Sequence, residues 1–380
     1  TCFDSCIWQT AACDSIWRTF NNGDTWERVN HGDWTEFPEQ ILLRLPCDAV
    51  DDCCDHDDLS APSGTIYMGI QGTESLQYSR DCGQCWSAPP AQKVTIQDFA
   101  VESENITYVL DAGGYVSVST QYGRHPADEV DTGVGSGHSI TSCCMNGLVA
   151  VGGAADEPVA WSDDGGDSWN LTDDLDDSGV VHVACYDCNG TTTLFAAVSG
   201  GTGPHSGGIY RTTTDDGAWS DMEALDFGYF GIALGRSDGT LYAVSDSIGV
   251  DTDTDCLCER FVENTDADEV YSGVARNLDP CTTDCCDSEV WDYLIAGLEG
   301  DIGPPSEMFA LEPSALRICG CTTMDTNSVL WAIDWNYYDV TDGSDGTLWS
   351  YEDCAAKHGP TLTSPADESL LPCDFCAQCD

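Results

Sequence analysis

The chain has 380 residues, with 12 Lys or Arg against 67 Asp or Glu, a formal net charge of −55 at pH 7. No basic run exists that could neutralise phosphates, so nucleic acid and anionic membrane surfaces are excluded as partners. No stretch approaches the roughly 18 apolar residues of a spanning helix, which excludes insertion into a membrane by helices. The acid is spread as DD and DxD pairs between apolar segments and reads as a solvated skin over a folded core. Such a skin repels itself unless counterions screen it, over about 10 Å at 0.1 M salt and about 3 Å at 1 M, so a salt-rich or divalent-rich habitat is expected. Twenty-three cysteines are more than a cytosolic protein keeps reduced, and point to an oxidising, extracellular location with disulfides. A first residue of Thr rather than Met reads as a processed chain.

Helical periodicity is nearly absent; short strands rich in Tyr, Val, Ile, Trp and Thr recur between Gly/Asp/Asn turns. In chain order, SCIWQT and SIWRTF form a strand pair that ends in Thr19-Phe20-Asn21-Asn22-Gly23-Asp24-Thr25-Trp26. TIYMGI and SLQYSRD run into Ser79-Arg80-Asp81-Cys82-Gly83-Gln84-Cys85-Trp86. ITYVLDA and YVSVST lead to a decayed copy at Ser119–Gly123. LVAVGG and PVAWSDD lead to Ser162-Asp163-Asp164-Gly165-Gly166-Asp167-Ser168-Trp169, a full Ser/Thr-x-Asp-x-Gly-x-Ser/Thr-Trp. TLFAAVS and GIYRTTT lead to Thr213–Trp219, one residue short. TLYAVSD before CLCERFVE, and VLWAIDW before TLWSYED, keep the strands without the turn. Between them, Cys281–Cys321 divides into an outer strand near Val290–Leu298, an insertion and the next inner strand, or forms a repeat of its own.

The turn has a physical logic. Its Asp or Asn accepts backbone N–H groups of the same turn, its Gly supplies a positive φ, and its Trp fills the gap between neighbouring sheets. These residues resemble the Asp box of sialidases, sortilin-type receptors and secreted propellers: Asn21, Gly23 and Trp26; Asp81, Gly83 and Trp86; Asp164, Gly166 and Trp169; Asp215, Gly217 and Trp219. The resemblance implies an all-β fold, a β-propeller of four-stranded antiparallel blades, with the box joining the third and fourth strands away from the catalytic face. The repeats give seven blades, or eight if Cys281–Cys321 is a blade. Residues 1–358 are expected to form the propeller. The Cys-rich segment 359–380 either completes the blade opened by Cys6–Asn30, through Gly359–Leu371, or meets a neighbouring subunit.

Little chemistry is marked. The Phe/Tyr-Arg-Ile-Pro motif of sialidases is absent, its nearest string around Arg211 belonging to a strand, and GxSxG, HExxH and phosphate-cradling glycine loops are absent as well. No catalytic residue is assigned, although a glycosidase needs no more than two suitably spaced carboxylates. The paired cysteines fall in different repeats and no CxxC precedes His, which disfavours zinc and covalent haem. They are read as disulfides, with local bridges such as Cys82–Cys85 or Cys185–Cys188 open. No cofactor is expected beyond calcium at Asp251, Asp253 and Asp255, or at Asp339, Asp342 and Asp345. Asn105, Asn170 and Asn189 lie in glycosylation sequons. An odd cysteine count leaves at least one thiol for another chain, and Cys2, Cys6, Cys13, Cys373, Cys376 and Cys379 in the terminal segments are the candidates. The expected function is that of a non-catalytic extracellular propeller, a self-assembling surface or filament subunit whose partners are copies of itself or an extracellular glycan or protein. The alternative is a carbohydrate-binding protein or a sialidase-like glycoside hydrolase. A converging arginine set or an isolated carboxylate pair on the central face would favour the enzyme.

Overall fold

The structure, a computed structural model, describes most of residues 65–250, together with 41–46, 269–281, 291–294 and the strands at 6–8, 15–19, 26–28, 309–311, 317–319, 328–336 and 347–353. Three strands, β1 (Cys6–Trp8), β2 (Ser15–Thr19) and β3 (Trp26–Arg28), make the first sheet. Five antiparallel meanders of four strands follow. The first blade is β4 (Ile41–Arg44), β5 (Ile66–Ile70), β6 (Leu76–Ser79) and β7 (Trp86–Ser87). The second is β8 (Asp98–Ser103), β9 (Ile106–Leu110), β10 (Tyr115–Ser119) and β11 (Val130–Asp131). The third is β12 (Ser139–Ser142), β13 (Val149–Gly152), β14 (Pro158–Ser162) and β15 (Asn170–Asp174). The fourth is β16 (Gly179–Cys188), β17 (Thr191–Gly200), β18 (Gly208–Thr213) and β19 (Ser220–Asp221). The fifth is β20 (Tyr229–Leu234), β21 (Leu241–Val250), β22 (Glu269–Asn277) and β23 (Trp291–Leu294).

The last sheet is built differently. Its long strand β26 (Ser328–Asn336) pairs β27 (Thr347–Asp353) on one edge, while β24 (Phe309–Leu311) and β25 (Arg317–Cys319) share the other edge end to end. It therefore has three ranks, as does the first sheet. The count of seven or eight blades is corrected to five. A repeated apolar strand pair marks the two middle ranks of a sheet; it does not guarantee the inner and outer strands that complete a blade. The partner of TLYAVSD is corrected too: β21 pairs with β22, Glu269–Asn277, and not with CLCERFVE. The expected closure through Gly359–Leu371 lies outside the described residues.

The strand sequences explain the stacking. The second strands are buried along most of their length, as on β5 and β13, because alternate residues enter different cores. On β9, Val109 packs with Tyr67, Phe99 and Val101 at the seam of the first and second blades, whereas Tyr108 and Leu110 join Ile140, Val149 and Val151 at the next seam. On β17, Leu194, Ala196 and Val198 face the third blade, while Phe195 and Ala197 face Tyr229, Leu241 and Ala243 of the fifth. Close approach sets one glycine: a Cβ at Gly69 would lie 2.8 Å from the Phe99 ring, so the first seam closes because that atom is missing.

Among the described residues, two disulfides tie the stack across seams. Cys143, just after β12, bonds Cys185 on β16, and Cys188 at the end of β16 bonds Cys281, with Cα separations of 5.2 and 5.3 Å. Cys185 and Cys188 therefore do not pair with each other. Three residues apart on one strand, their side chains leave opposite faces of the sheet, so one reaches back to the third blade and the other forward to the fifth. No helix among the described residues is long and apolar enough to cross a membrane.

Candidate functional site

The first strands of successive blades lie against one another, β4 on β8, β8 on β12, β12 on β16 and β16 on β20, and so surround the propeller axis. Their ionisable residues form a chain across the seams. Asp98 opens β8 and is buried. Its Oδ1 accepts an ion-paired hydrogen bond from Arg44 Nη2 of β4 and the Phe99 N–H at 2.8 Å; its Oδ2 accepts the Ile140 N–H of β12 at 3.0 Å. Arg44 is held further by Nε donating to the Phe99 carbonyl at 3.1 Å, by Nη1 donating to the Leu43 carbonyl at 3.0 Å, and by lying 5.6 Å over the Phe99 ring. One carboxylate thus joins three blades.

Beside it, His138 and His182 meet edge to face across the seam between the third and fourth blades, with ring centroids 4.8 Å apart at 75°. His182 is buried on β16, and its Nε2 has no hydrogen-bond partner among the described residues. Burial pushes both imidazoles below their ordinary range, opposed at His138 by Asp98 and reinforced at His182 by the neighbouring imidazole. Both rings are neutral at pH 7.

This pair carries a pH prediction. A histidine depressed in the folded state binds fewer protons there than in the unfolded chain, whose value is about 6.5, so stability is complete above that pH and declines as pH falls toward the folded values. Discharge of the acidic skin opposes the trend at low salt, but 1 M salt screens the skin and leaves the buried rings unaffected. In 1 M salt, urea midpoints should fall from pH 7.5 to pH 5, and His138→Gln/His182→Gln should flatten the slope. A slope identical in the double variant would refute the assignment.

Among the described residues, no other cation is bonded to Asp98. Arg211 and Arg276 are buried, and Arg211 Nη1 donates to the Pro280 carbonyl at 3.0 Å. Two other half-buried carboxylates among the described residues also hold backbone. Glu102 accepts the Tyr108 hydroxyl and, at 2.8 Å, the Gly147 N–H; Glu157 accepts the Ser136 N–H and hydroxyl, both at 3.0 Å. Tyr108 is pushed well above its ordinary range, by burial first and then by the Glu102 carboxylate.

The turn residues sit elsewhere, at the blade margins. Asp164 accepts the Ser168 N–H at 2.9 Å and the hydroxyls of Ser168 and Ser162 at 2.6 and 2.8 Å; the Ser168 bonds chiefly hold its carboxyl at about 2. Gly166 takes φ +88 and donates to Ser162 Oγ at 2.9 Å, and Trp169 packs against the core of the second and third blades. This turn joins β14 to β15. Between β18 and β19, Asp215 is exposed and Gly217 takes φ +74; Trp219 Nε1 reaches the preceding blade, donating to the Asp173 carbonyl at 3.0 Å. Trp86 begins β7 and Trp26 begins β3, while Asn21, Gly23, Asp81 and Gly83 lie outside the described residues.

Asn105 and Asn170 are exposed, the former with Nδ2 donating to the Thr120 carbonyl at 3.0 Å, and Asn189 lies outside the described residues. So do the calcium candidates Asp251, Asp253, Asp255, Asp339, Asp342 and Asp345, and the cysteines Cys2, Cys13, Cys373, Cys376 and Cys379; Cys6 lies on β1. Among the described residues no group of three or more His, Cys, Asp or Glu is placed to hold a metal ion. Arg44, Asp98, His138 and His182 carried no motif. Their one sequence signal is an ionisable residue bordering an apolar strand, as Asp98 borders Phe99-Ala100-Val101.

No protein-family model matches the sequence, and no curated protein matches it. Solved structures do. The GH74 xyloglucanase from Xanthomonas campestris is similar over 90% of this chain and 51% of that one, with 12% identity and a TM-score of 0.52, so this chain spans about half its length. YCF48 from Cyanidioschyzon merolae is similar over 84% and 86% of the two chains, with 13% identity and a TM-score of 0.48. A chain of a nidogen/laminin complex is similar over 73% and 89%, with 12% identity and a TM-score of 0.45. These are β-propellers, and at such identities the likeness is one of fold alone; nothing in it singles out sialidases.

Proposed function

We propose that this chain is a non-catalytic extracellular β-propeller of the Asp-box type that assembles with copies of itself into a surface layer or filament. The observation that carries the non-catalytic part is the bonding of Asp98. The carboxylate at the axis has both oxygens on backbone N–H groups and an arginine, and so it works as a joint between blades. A hydrolytic pair needs a second carboxylate free to move a proton, and Glu102 and Glu157 are likewise bound to backbone. The disulfides across seams support an oxidising exterior. The odd cysteine count, which leaves a thiol for another chain, supports the self-assembly reading. Calcium at the acidic segments 251–255 and 339–345 belongs to the same reading, as a counterion to the skin.

Light scattering on the native full chain at rising concentration, with and without reductant, tests it. Species well above the 40.8 kDa chain mass are expected, dissociating in part when interchain disulfides are reduced. A monomer at every concentration, unchanged by reductant, would sink the assembly reading. Turnover of xyloglucan or of sialosides would sink the non-catalytic one.

A further inference from the structure

The two axial histidines are held by packing and by no hydrogen bond. His138 is half-buried just before β12 and His182 is buried on β16, so they meet across the seam that the Cys143–Cys185 disulfide also crosses. Ser139 pairs with Gly152, whereas the Asp-box turn follows Ser162, which pairs with Val149 at the other end of the sheet. The histidines therefore lie at the end of the axis away from that turn. Neither imidazole makes a hydrogen bond to a described residue, and His182 Nε2 is buried without a partner. A ring nitrogen withdrawn from water in this way is costly unless something else binds it.

The spacing of the rings fits one shared ion. Metal–nitrogen bonds of about 2.0–2.1 Å put an imidazole centroid about 3.2 Å from the metal, so two rings on one ion have centroids about 4.5 Å apart at a right angle and about 5.2 Å apart at the tetrahedral angle. The observed 4.8 Å lies between these. The interplanar angle of 75° suits two ligands that each turn about their own metal–nitrogen bond. Asp98 adds no ligand, because Arg44 and the Phe99 N–H engage its Oδ1 and the Ile140 N–H engages its Oδ2. Two imidazoles without thiolate or free carboxylate suit borderline ions such as Cu(II), Ni(II) and Zn(II), of which Cu(II) binds tightest. Calcium and magnesium, which require oxygen ligands, are poorly served.

We infer that His138 and His182 form a two-imidazole site for a divalent transition-metal ion, which joins the third blade to the fourth at the axis and keeps its remaining positions for water or a small ligand. Two ligands accord with the lack of any group of three among the described residues. A net charge of −55 concentrates cations at the surface, and half-buried His138 gives the ion a way in from solvent. The site is independent of self-assembly, since a monomer would hold the ion as well as a subunit.

Copper(II) added to the chelator-treated full chain in excess calcium, which occupies the acidic skin, tests this by electron paramagnetic resonance. One tightly bound copper per chain is expected, coupled to two imidazole nitrogens. Ascorbate then oxidises copper-bound histidine to 2-oxohistidine, and mass spectrometry should find the label on His138 and His182 ahead of the other five of the seven histidines. That readout needs no substitution. His138→Gln and His182→Gln should each weaken copper binding at least about tenfold, the loss that even an outer-shell partner causes. Zinc(II) should raise the urea midpoint of the wild type and leave that of the double variant unchanged. Copper that calcium displaces, or that shows no nitrogen coupling, is held by the carboxylate skin and overturns the site. So does a label that misses either histidine, or a folded variant that binds copper as the wild type does.

Discussion

Replacing Asp98 by alanine is expected to cost about 3–5 kcal/mol, the penalty for leaving a buried partner charge uncompensated. Against a total stability of about 5–15 kcal/mol for a typical domain, that is a large fraction. Three groups lose their acceptor together: the Arg44 guanidinium, whose side chain is 19% exposed, and the N–H groups of Phe99 and Ile140. Because these groups belong to three blades, the loss loosens two seams at the axis. Asp98→Asn should cost less, since its amide oxygen still accepts on one side while its NH2 opposes a donor on the other. Arg44→Met in the Asp98→Ala background should recover part of the loss, because it removes the orphaned charge. Urea denaturation of the four proteins measures all of this. A loss below about 1 kcal/mol for Asp98→Ala would show that the carboxylate is not the joint described above.

Opening the disulfides should have an effect of similar size. Cys143–Cys185 spans 42 residues and Cys188–Cys281 spans 93. Chain entropy grows with the logarithm of the loop, so Cys143→Ser/Cys185→Ser should cost about 2–4 kcal/mol and Cys188→Ser/Cys281→Ser about 0.7 kcal/mol more. The two loops do not overlap in sequence, so the losses should nearly add. Reduction of the wild type should lower its urea midpoint by more than either paired variant does, and by more at low salt, where the unscreened acidic skin already strains the fold. Identical midpoints with and without reductant would remove these bridges from the stability of the native state.

Much of this architecture can be read from the strand sequences alone. Runs such as Ile66–Ile70 and Val149–Gly152 are apolar at every position, which a half-buried strand would not allow, and pairs of such runs between Gly/Asp turns specify stacked sheets. The turn at Ser162–Trp169 is local chemistry, and its Asp, Gly and Trp follow from spacing. Blade number was not legible. The outermost strands are short and mixed in character, as at β7 and β19 with two residues each, so their presence depends on a neighbouring edge to pair with.

By itself, then, the sequence determined the class of fold, the acidic exterior and the oxidising chemistry, because strand period, charge count and cysteine count are properties of the chain. Tertiary structure alone decided that five sheets are full blades, that Cys185 and Cys188 bond in opposite directions, and that Arg44, Asp98, His138 and His182 share the axis. Those residues lie on or just before the first strands of four different blades, from position 44 to position 182. What brings them together is the packing of apolar faces at seams between blades, a long-range event that no local pattern encodes.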